Sequence, residues 1–462
     1  MSFDDAKVST FMVMCNTLNL FFCKKVHSLD INQSFVVAHT TKISVLDIFM
    51  HSSQNYFVTL ASYKENRMRV NEKTWDFISL HSEDDVRTLA LRGSNDTDID
   101  MPFALTQIAG RQAARHKLPL WHDTKGIIYP PHLNMEQCSS EQTARYKAKI
   151  AEQIFRLNGK SMETFTDITG GFGVDFTMMA RAFKSATYVE QNSELCEIAA
   201  HNFPLLGVTA KIINADGTRF LESCQRQSLV FIDPSRRDRH GGRTYGISDC
   251  TPNITEILHT LLHKADYALI KLSPMLDIDK AIADLGHHVE EIHIVSVDNE
   301  CKELLLTVSA EQTDSPRIYC VNGDDVWEAT GHEITSISPS VGRWQYLYEP
   351  NASIMKAGCF RQIESAFGIQ QIAVNSHLFV ADSLLTYFPG RRFSIINTLR
   401  MNKRELKEGL KDIPKANISV RNFPLTADRL RKRLKISDGG DDYIFATTLP
   451  GGAHILLVCR KI

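Results

Sequence analysis

The pattern of apolar and polar positions changes character several times along the chain. Residues 1–67 show neither helical nor strand periodicity. Their one apolar run, from Phe11 to Phe22, is too short to span a bilayer. Asp4 and Asp5 precede that run and Lys24 and Lys25 follow it, the reverse of the charge order of a signal peptide. Ordinary patterning begins at Met68. Residues 1–67 are therefore expected to be a dispensable extension outside the functional fold, a product of an early start codon. Residues 68–160 read as helical. Ser82 followed by Glu83, Asp84 and Asp85 has the form of a cap with acids in the first turn. Asp100-Met101-Pro102 opens a second helix with proline where its missing N–H does no harm, and Leu105, Ile108 and Ala109 fall on one face. A third helix is predicted from about Ser139 or Ser140 to Leu157, with Ser139 and Gln142 as a capping box and Gly159 as the stop.

From 163 to 310 short apolar runs alternate with amphipathic stretches, which predicts a parallel sheet covered by helices. The strand candidates are 164–168, 187–189, 210–213, 229–232, 268–272, 292–297 and 304–308. The last two are too close for a crossover helix, so they are expected to pair antiparallel at one edge. Residues 311–385 read as mixed α/β with little punctuation. The tail is clearer: strand 392–396, helix 403–410, strand 417–421, helix 426–434, and a final hairpin of 443–447 and 454–458 around Pro450-Gly451-Gly452. This βαβαββ order describes a compact domain of a size that can fold alone.

The first strand runs into Asp167-Ile168-Thr169-Gly170-Gly171-Phe172-Gly173, a glycine turn that brings backbone N–H groups to the carboxyl edge of a sheet. A dinucleotide fingerprint would need glycine at 176, where Phe176 stands. Glu190 ends the second strand, where a carboxylate can accept from both hydroxyls of a ribose. Asp216 follows the third, within reach of an adenine amino group. The fourth strand ends in Asp233-Pro234-Ser235-Arg236-Arg237. Acids after three successive strands, behind a glycine turn, describe a pocket for a nucleoside cofactor without a diphosphate.

Charge then changes the picture of the C-terminal end. The chain as a whole carries a formal net charge of -2, yet residues 391–437 hold fourteen Lys or Arg against four acids. Arg391, Arg392, Arg429, Arg431, Lys432 and Arg433 belong to this segment. Such density is the footprint of phosphate binding. The ten cysteines are dispersed, without zinc spacing, and fit thiols in a reducing cytosol. The pattern calls for no metal and no membrane, and it sets no oligomeric state.

Asp167-x-Thr-Gly-Gly-x-Gly together with Asp233-Pro-Ser-Arg-Arg resembles the core of bacterial class I methyltransferases that carry a C-terminal THUMP-like domain. Gly110–Trp121 and Glu136–Tyr146 resemble the segments that precede that core. The resemblance covers residues 70–462. It implies an α/β fold: a Rossmann-like seven-stranded class I methyltransferase core over 161–310, after an N-terminal helical region over 68–160. Small C-terminal α/β domains would follow, a ferredoxin-like one over 311–388 and a basic THUMP-like one over 389–462. It implies S-adenosylmethionine as cofactor, held by Asp167, Thr169, Gly170, Gly171, Gly173, Glu190 and Asp216. It also implies structured RNA as partner and a cytoplasmic location.

In methyltransferases that act on exocyclic amines the loop matching Asp233–Arg236 reads Asp/Asn/Ser-Pro-Pro-aromatic. Here Asp233 and Pro234 keep the acceptor, and Ser235-Arg236 replaces Pro-aromatic; an arginine can still stack on a base or pair with a phosphate. No Pro-Cys occurs there, which argues against a cysteine nucleophile for pyrimidine C5. Lys271, at the end of the fifth strand, either faces the same cleft or is a surface lysine. Two other functions fit the sequence: a protein that binds S-adenosylmethionine without catalysis, and a methyltransferase for a protein or small molecule.

Overall fold

The computed structural model describes residues 70–93, 96–236, 246–329 and 344–462, without the side chain of Arg236. The expected extension 1–67 lies outside the described residues. The chain divides into two compact units, and of the first only 70–77 and 96–100 are described. There Asn71 Oδ1 accepts from the backbone N–H and the hydroxyl of Thr74, both at 2.8 Å. Exposed Lys73 pairs with Asp96 and Asp98 at 3.1 and 2.5 Å, contacts too solvated to add much stability.

The second unit holds the expected core. Its strands are β1 (Thr164–Asp167), β2 (Ser185–Glu190), β3 (Lys211–Asn214), β4 (Gln227–Ile232), β5 (Ala265–Leu272), β6 (Val289–Val297), β7 (Glu300–Val308), β8 (Arg317–Asn322) and β9 (Asp325–Ala329). They form one sheet in the order β9-β8-β6-β7-β5-β4-β1-β2-β3. From β3 to β5 every neighbour is parallel, and β7 inserts antiparallel between β5 and β6. This is the seven-stranded Rossmann-like order, extended by two strands. Two expectations change with those strands. The β6–β7 pair is interior rather than at the edge, because β8 lies parallel to β6 and β9 closes a hairpin outside it. The core also runs to 329, past the expected boundary at 310, since Cys320 and Val321 of β8 are buried in it.

Within the same unit Ile150, Ile154 and Phe155 pack on Phe165 of β1, and the helices ahead of β1 differ from expectation in three places. Asp85, not Ser82, caps the first helix, accepting from Thr88 N at 2.8 Å ahead of Val86–Arg92. The buried face of Met101–Lys117 is Ala104, Gln107, Ile108, Gly110 and Ala114. Gln107 can be buried because its amide bonds both the N–H and the C=O of Tyr129. Gly110 is required there, since a Cβ would lie 2.3 Å from that of Tyr129. Finally, Ser140 caps Glu141–Leu157, and Ser139, expected as the cap, bonds elsewhere.

The C-terminal residues build a second sheet from β10 (Tyr346–Pro350), β11 (Gln370–Gln371), β12 (Phe379–Ala381), β13 (Gly390–Arg400), β14 (Asn417–Arg421), β15 (Asp442–Thr448) and β16 (His454–Lys461). Its order is β11-β12-β10-β13-β16-β15-β14. The segments expected to be two domains thus share one continuous sheet, joined where β10 pairs with β13. On a flat sheet Glu349 of β10 and Arg421 of β14 would stand four strand spacings apart, about 19 Å. Instead Arg421 Nη2 donates to Glu349 Oε1 at 2.9 Å. The sheet therefore curls until the edge strand β14 comes within side-chain reach of β10, enclosing Leu347, Phe393, Phe445 and Leu457, all fully buried. On its outer face Lys403–Gly409 and Ala427–Leu434 cover Leu399, Ile444 and Leu456. Ile354 and Ile363, from two further helices, enter the same core as Ile294 of β6 and Leu306 of β7. One hydrophobic core thus ties the curled sheet to the first one. Among the described residues no helix is long and apolar enough to cross a membrane.

Candidate active site

The glycine turn links β1 to the helix Val174–Met179, and three of its residues can only be glycine-like. Gly171 and Gly173 have φ of 57° and 83°. At Gly170 a Cβ would sit 2.3 Å from the Tyr188 ring, and at Gly173 it would sit 2.7 Å from Phe203. Tyr188 secures the turn by donating its hydroxyl to the Gly171 carbonyl at 2.5 Å. Phe172 is held from outside by Trp121, ring centroids 4.5 Å apart, so the preceding helical region fixes the far wall of the turn.

Two of the acids bond to the turn itself, Glu190 to the Gly171 N–H and Asp167 to the Thr169 N–H. Glu190 accepts the Gly171 N–H on Oε2 and the Asn192 N–H on Oε1, both at 2.8 Å. Each of its oxygens keeps one lone pair for a further donor. Asp216 caps Gly217–Ser223, and its three bonds, to Thr218 N, Thr218 Oγ1 and Arg219 N, all fall on Oδ1. The Thr218 hydroxyl leads the contacts that hold its carboxyl below the usual range. Asp167 is 1% exposed and accepts from Thr169 N at 2.9 Å. Burial, then the nearby charges of Asp175 and Asp233, push its carboxyl well above the ordinary value. Thr169 joins the two loops, for its hydroxyl accepts from Asp233 N at 2.7 Å.

Asp233 is half-exposed, and its Oδ2 lies 2.5 Å from Lys271 Nζ. Pro234 is buried, and Ser235-Arg236 forms a short antiparallel ladder with Cys250-Thr251. The stacking or phosphate role expected of the Arg236 side chain, and Arg237 altogether, lie outside the described residues. Beneath Asp233 is a group of charges that the sequence did not single out. Fully buried Lys147 contacts Asp175 at 3.0 Å and Glu303 at 2.6 Å. Ser139 donates to Asp175 at 2.7 Å and accepts from Lys147 at 3.2 Å. Burial raises the Asp175 carboxyl, but Lys147 and Lys271 outweigh it and hold it below its ordinary value. Of its neighbours only Lys271 is conspicuous in the sequence; Lys147 lies just past the Glu136–Tyr146 stretch and Glu303 within β7, neither inside a motif.

The C-terminal arginines divide. Arg391 gives Nε and Nη2 to buried Glu349. Arg392 donates to the carbonyls of Leu385 and Thr386 at 2.9 and 2.8 Å. Arg431 bonds the Ala416 carbonyl and Asp438. Arg429, Lys432 and Arg433 are exposed on one helix.

A model of a ferredoxin-like domain matches residues 346–389, and a model of a THUMP domain-like module matches 390–461. A crystal structure of a candidate methyltransferase from Porphyromonas gingivalis W83 is 31% identical, with a TM-score of 0.73. The match covers 84% of this chain and 96% of that one. The chain belongs to that family of bacterial class I S-adenosylmethionine-dependent methyltransferases with ferredoxin-like and THUMP-like domains.

Other solved structures are similar only in part. A class I methyltransferase candidate from Listeria monocytogenes is 10% identical, covers 55% of this chain and 94% of its own, and has a TM-score of 0.35. A methyltransferase candidate from Escherichia coli is 18% identical, covers 35% and 87%, and has a TM-score of 0.25. Neither carries an argument here. No curated protein matches the chain. For a methyltransferase of this family the site's chemistry fits the cofactor. Asp167, Glu190 and Asp216 make the carboxyl edge of β1 to β3 acidic, which suits a sulfonium and an ammonium and repels a diphosphate. The Gly171 N–H that a diphosphate would need is already taken by Glu190. Above Gly171 there is room, the nearest atom to a Cβ being the Thr169 carbonyl at 3.8 Å.

Proposed function

We propose that this methyltransferase acts on a base nitrogen of structured RNA, with Asp233 as the acceptor that holds the target amine. The carrying observation is the position of Asp233. It follows β4 at the lip of the glycine turn, its backbone N–H anchored to Thr169 and its carboxylate only half-buried. S-adenosylmethionine, when bound, supplies a methyl group on a positively charged sulfur, already a good leaving group. Glu190 and Asp216 would accept from the ribose and the adenine of that cofactor, and Asp167 would face its cationic end. What remains for the protein is position, which supplies most of the rate in such transfers. Asp233 Oδ1 accepts one N–H of the exocyclic amine and turns the nitrogen lone pair toward the methyl. That lone pair forms the new C–N bond while the electrons of the C–S bond stay on sulfur. The surplus proton leaves to water.

The RNA part of this reading is supported by the THUMP-like match and by the exposed cations of the C-terminal helices. Arg391, Arg392 and Arg431 are engaged within the protein, so the phosphate contacts pass to Arg429, Lys432 and Arg433 with Lys403, Lys407 and Lys411, all exposed. A-form RNA hides its base edges, so the target base would lie in a loop, at an end, or flipped out. The test is transfer of labelled methyl from S-adenosylmethionine to total RNA by the full chain, with mass spectrometry of the nucleosides. Label on an exocyclic amine in the presence of wild type, and none with Asp233→Ala, is the expected result. Label appearing only on protein, or on no macromolecule, would overturn it.

A further inference from the structure

We propose that Lys271 is the positioning residue of the transfer step: its ammonium clamps Asp233 Oδ2 so that Oδ1 alone meets the acceptor amine. This rests on the proposed role of Asp233 and adds a residue to it. The arrangement begins with strand register. β4 and β5 are parallel with Ile232 opposite Ile270, so Asp233, the first residue past β4, stands beside Lys271, which is still within β5. The two side chains meet at 2.5 Å. Lys271 is 14% exposed against 35% for Asp233, so the lysine lies beneath and the carboxylate above it, toward solvent.

A lone lysine is a poor clamp, because its stem is flexible and its head prefers water. Here the surroundings supply the rigidity. Asp233 comes from the end of β4, Asp175 from the helix after the glycine turn, and Glu303 from β7. All three charges act on Lys271, and although burial opposes them, they outweigh it and keep the ammonium protonated. Lys147 holds Asp175 and Glu303 from the other side. The Cys138 thiol also lies within range of Lys271, where burial keeps it raised and so neutral. Asp167 completes the set of charges near Asp233. With two acids engaged by Lys147, the free reach of Lys271 is toward Asp233. A carboxylate held through one oxygen is restricted in its rotation, which is the pre-organisation an in-line transfer needs.

The test is a double-mutant cycle with Lys271→Met, Asp233→Asn and the pair, on whichever acceptor the wild type methylates. Lys271→Met should lower kcat about 100-fold while KM and cofactor Kd change less than about 3-fold. Lys271→Arg, which keeps a cation beside Asp233, should restore much of the rate. In the Asp233→Asn background the same lysine substitution should cost less than about 3-fold, because its only route to the reaction is gone. A second, independent loss of about 100-fold in that background would overturn the proposal. So would equal losses in Lys271→Met and Lys271→Arg. If Lys271→Met does not fold, the neutral pair Lys271→Gln/Asp233→Asn replaces it, with turnover equal to Asp233→Asn alone as the expected result and a further large loss as the refutation. A crystal structure of a lysine variant needs no substrate, so it separates this proposal from the RNA reading. Asp233 should leave its present rotamer, and an unmoved carboxylate would remove the clamp.

Discussion

The methyltransferase core and the C-terminal helices of this protein handle charge in opposite ways. Around Asp233 the charges are few, buried and mutually bonded: Lys147 is fully inaccessible and touches two acids. On the helices Lys403–Gly409 and Ala427–Leu434 they are many and exposed, and pairs such as Arg404 with Glu408 are loose, at 3.4 Å. Buried charges interact strongly and tolerate no missing partner, whereas exposed ones add weakly and are screened by salt. The first region is thus built for fixed geometry and the second for adaptable attraction. The curled C-terminal sheet shows both regimes at once, with Glu349 buried between Arg391 and Arg421 and cations such as Lys403, Lys407, Lys432 and Arg433 turned to solvent.

The comparison can be broken first at the core. Gly171→Arg should abolish cofactor binding, since φ is 57° there and the long side chain would fill the open space above the turn. Calorimetry with S-adenosylhomocysteine should show loss of at least about 100-fold in affinity, and unchanged binding would move the cofactor elsewhere. Asp233→Ala should bind cofactor and RNA as before but lose about 10²–10⁴-fold in transfer rate, the usual worth of a positioned polar group.

The next effect tests the curled sheet. Glu349→Ala leaves two arginines, both partly exposed, without the carboxylate that joins β10 to β14 across the curl. The cost should be about 3 kcal/mol, the lower end for breaking a buried pair, because water can reach both guanidinium groups. Urea unfolding is the measurement. A change under about 1 kcal/mol would mean that the enclosed Phe393 and Phe445 close the sheet without it.

A smaller effect is expected on the solvated face. Replacing Arg429, Lys432 and Arg433 by Ala should reduce the salt slope of RNA binding by about two units and leave cofactor affinity intact. Filter binding over a salt series reads this directly. Equal slopes for wild type and variant would make the helix an ordinary solvated surface.

Sequence reading was accurate where the signal is local. The glycine turn, the acids after β2, β3 and β4, and the βαβαββ tail could be read because each is set by neighbours a few residues away. Ser139 was misread as a cap because it borders a helix, while its partners, Asp175 and Lys147, are contributed by the fold. Lys147 and Glu303 gave no signal, since a lysine on a helix and a glutamate in a strand look like surface residues until the sheet brings them together. Likewise Arg391 and Arg392 counted toward a basic stretch, although Glu349 and two backbone carbonyls hold them. Charge density reports composition; only packing reports which charges are free. The junction of β10 with β13 was hidden for a related reason, because strand pairing across a presumed domain boundary leaves no periodicity of its own.

The smallest expected effect concerns Asp167, and it has opposite signs for stability and function. Its carboxyl is raised by burial and by the charges of Asp175 and Asp233. A group whose pKa is higher in the fold than in the unfolded chain contributes most stability below the unfolded value, near pH 4, and loses that contribution as pH rises through the folded value. At neutral pH the native Asp167 is therefore a burden on the fold. Asp167→Asn keeps an oxygen for the Thr169 N–H and removes the titration. Its Tm without cofactor should exceed that of wild type by a few degrees at pH 8, with the gain shrinking to nothing toward pH 4. Its affinity for S-adenosylmethionine should fall, because a cationic ligand is what makes the buried charge worthwhile. A scan of Tm against pH with and without cofactor separates the two terms. If the variant were less stable at pH 8, Asp167 would be a structural acceptor for the turn, and the acidic edge would owe its cofactor preference to Glu190 and Asp216 alone.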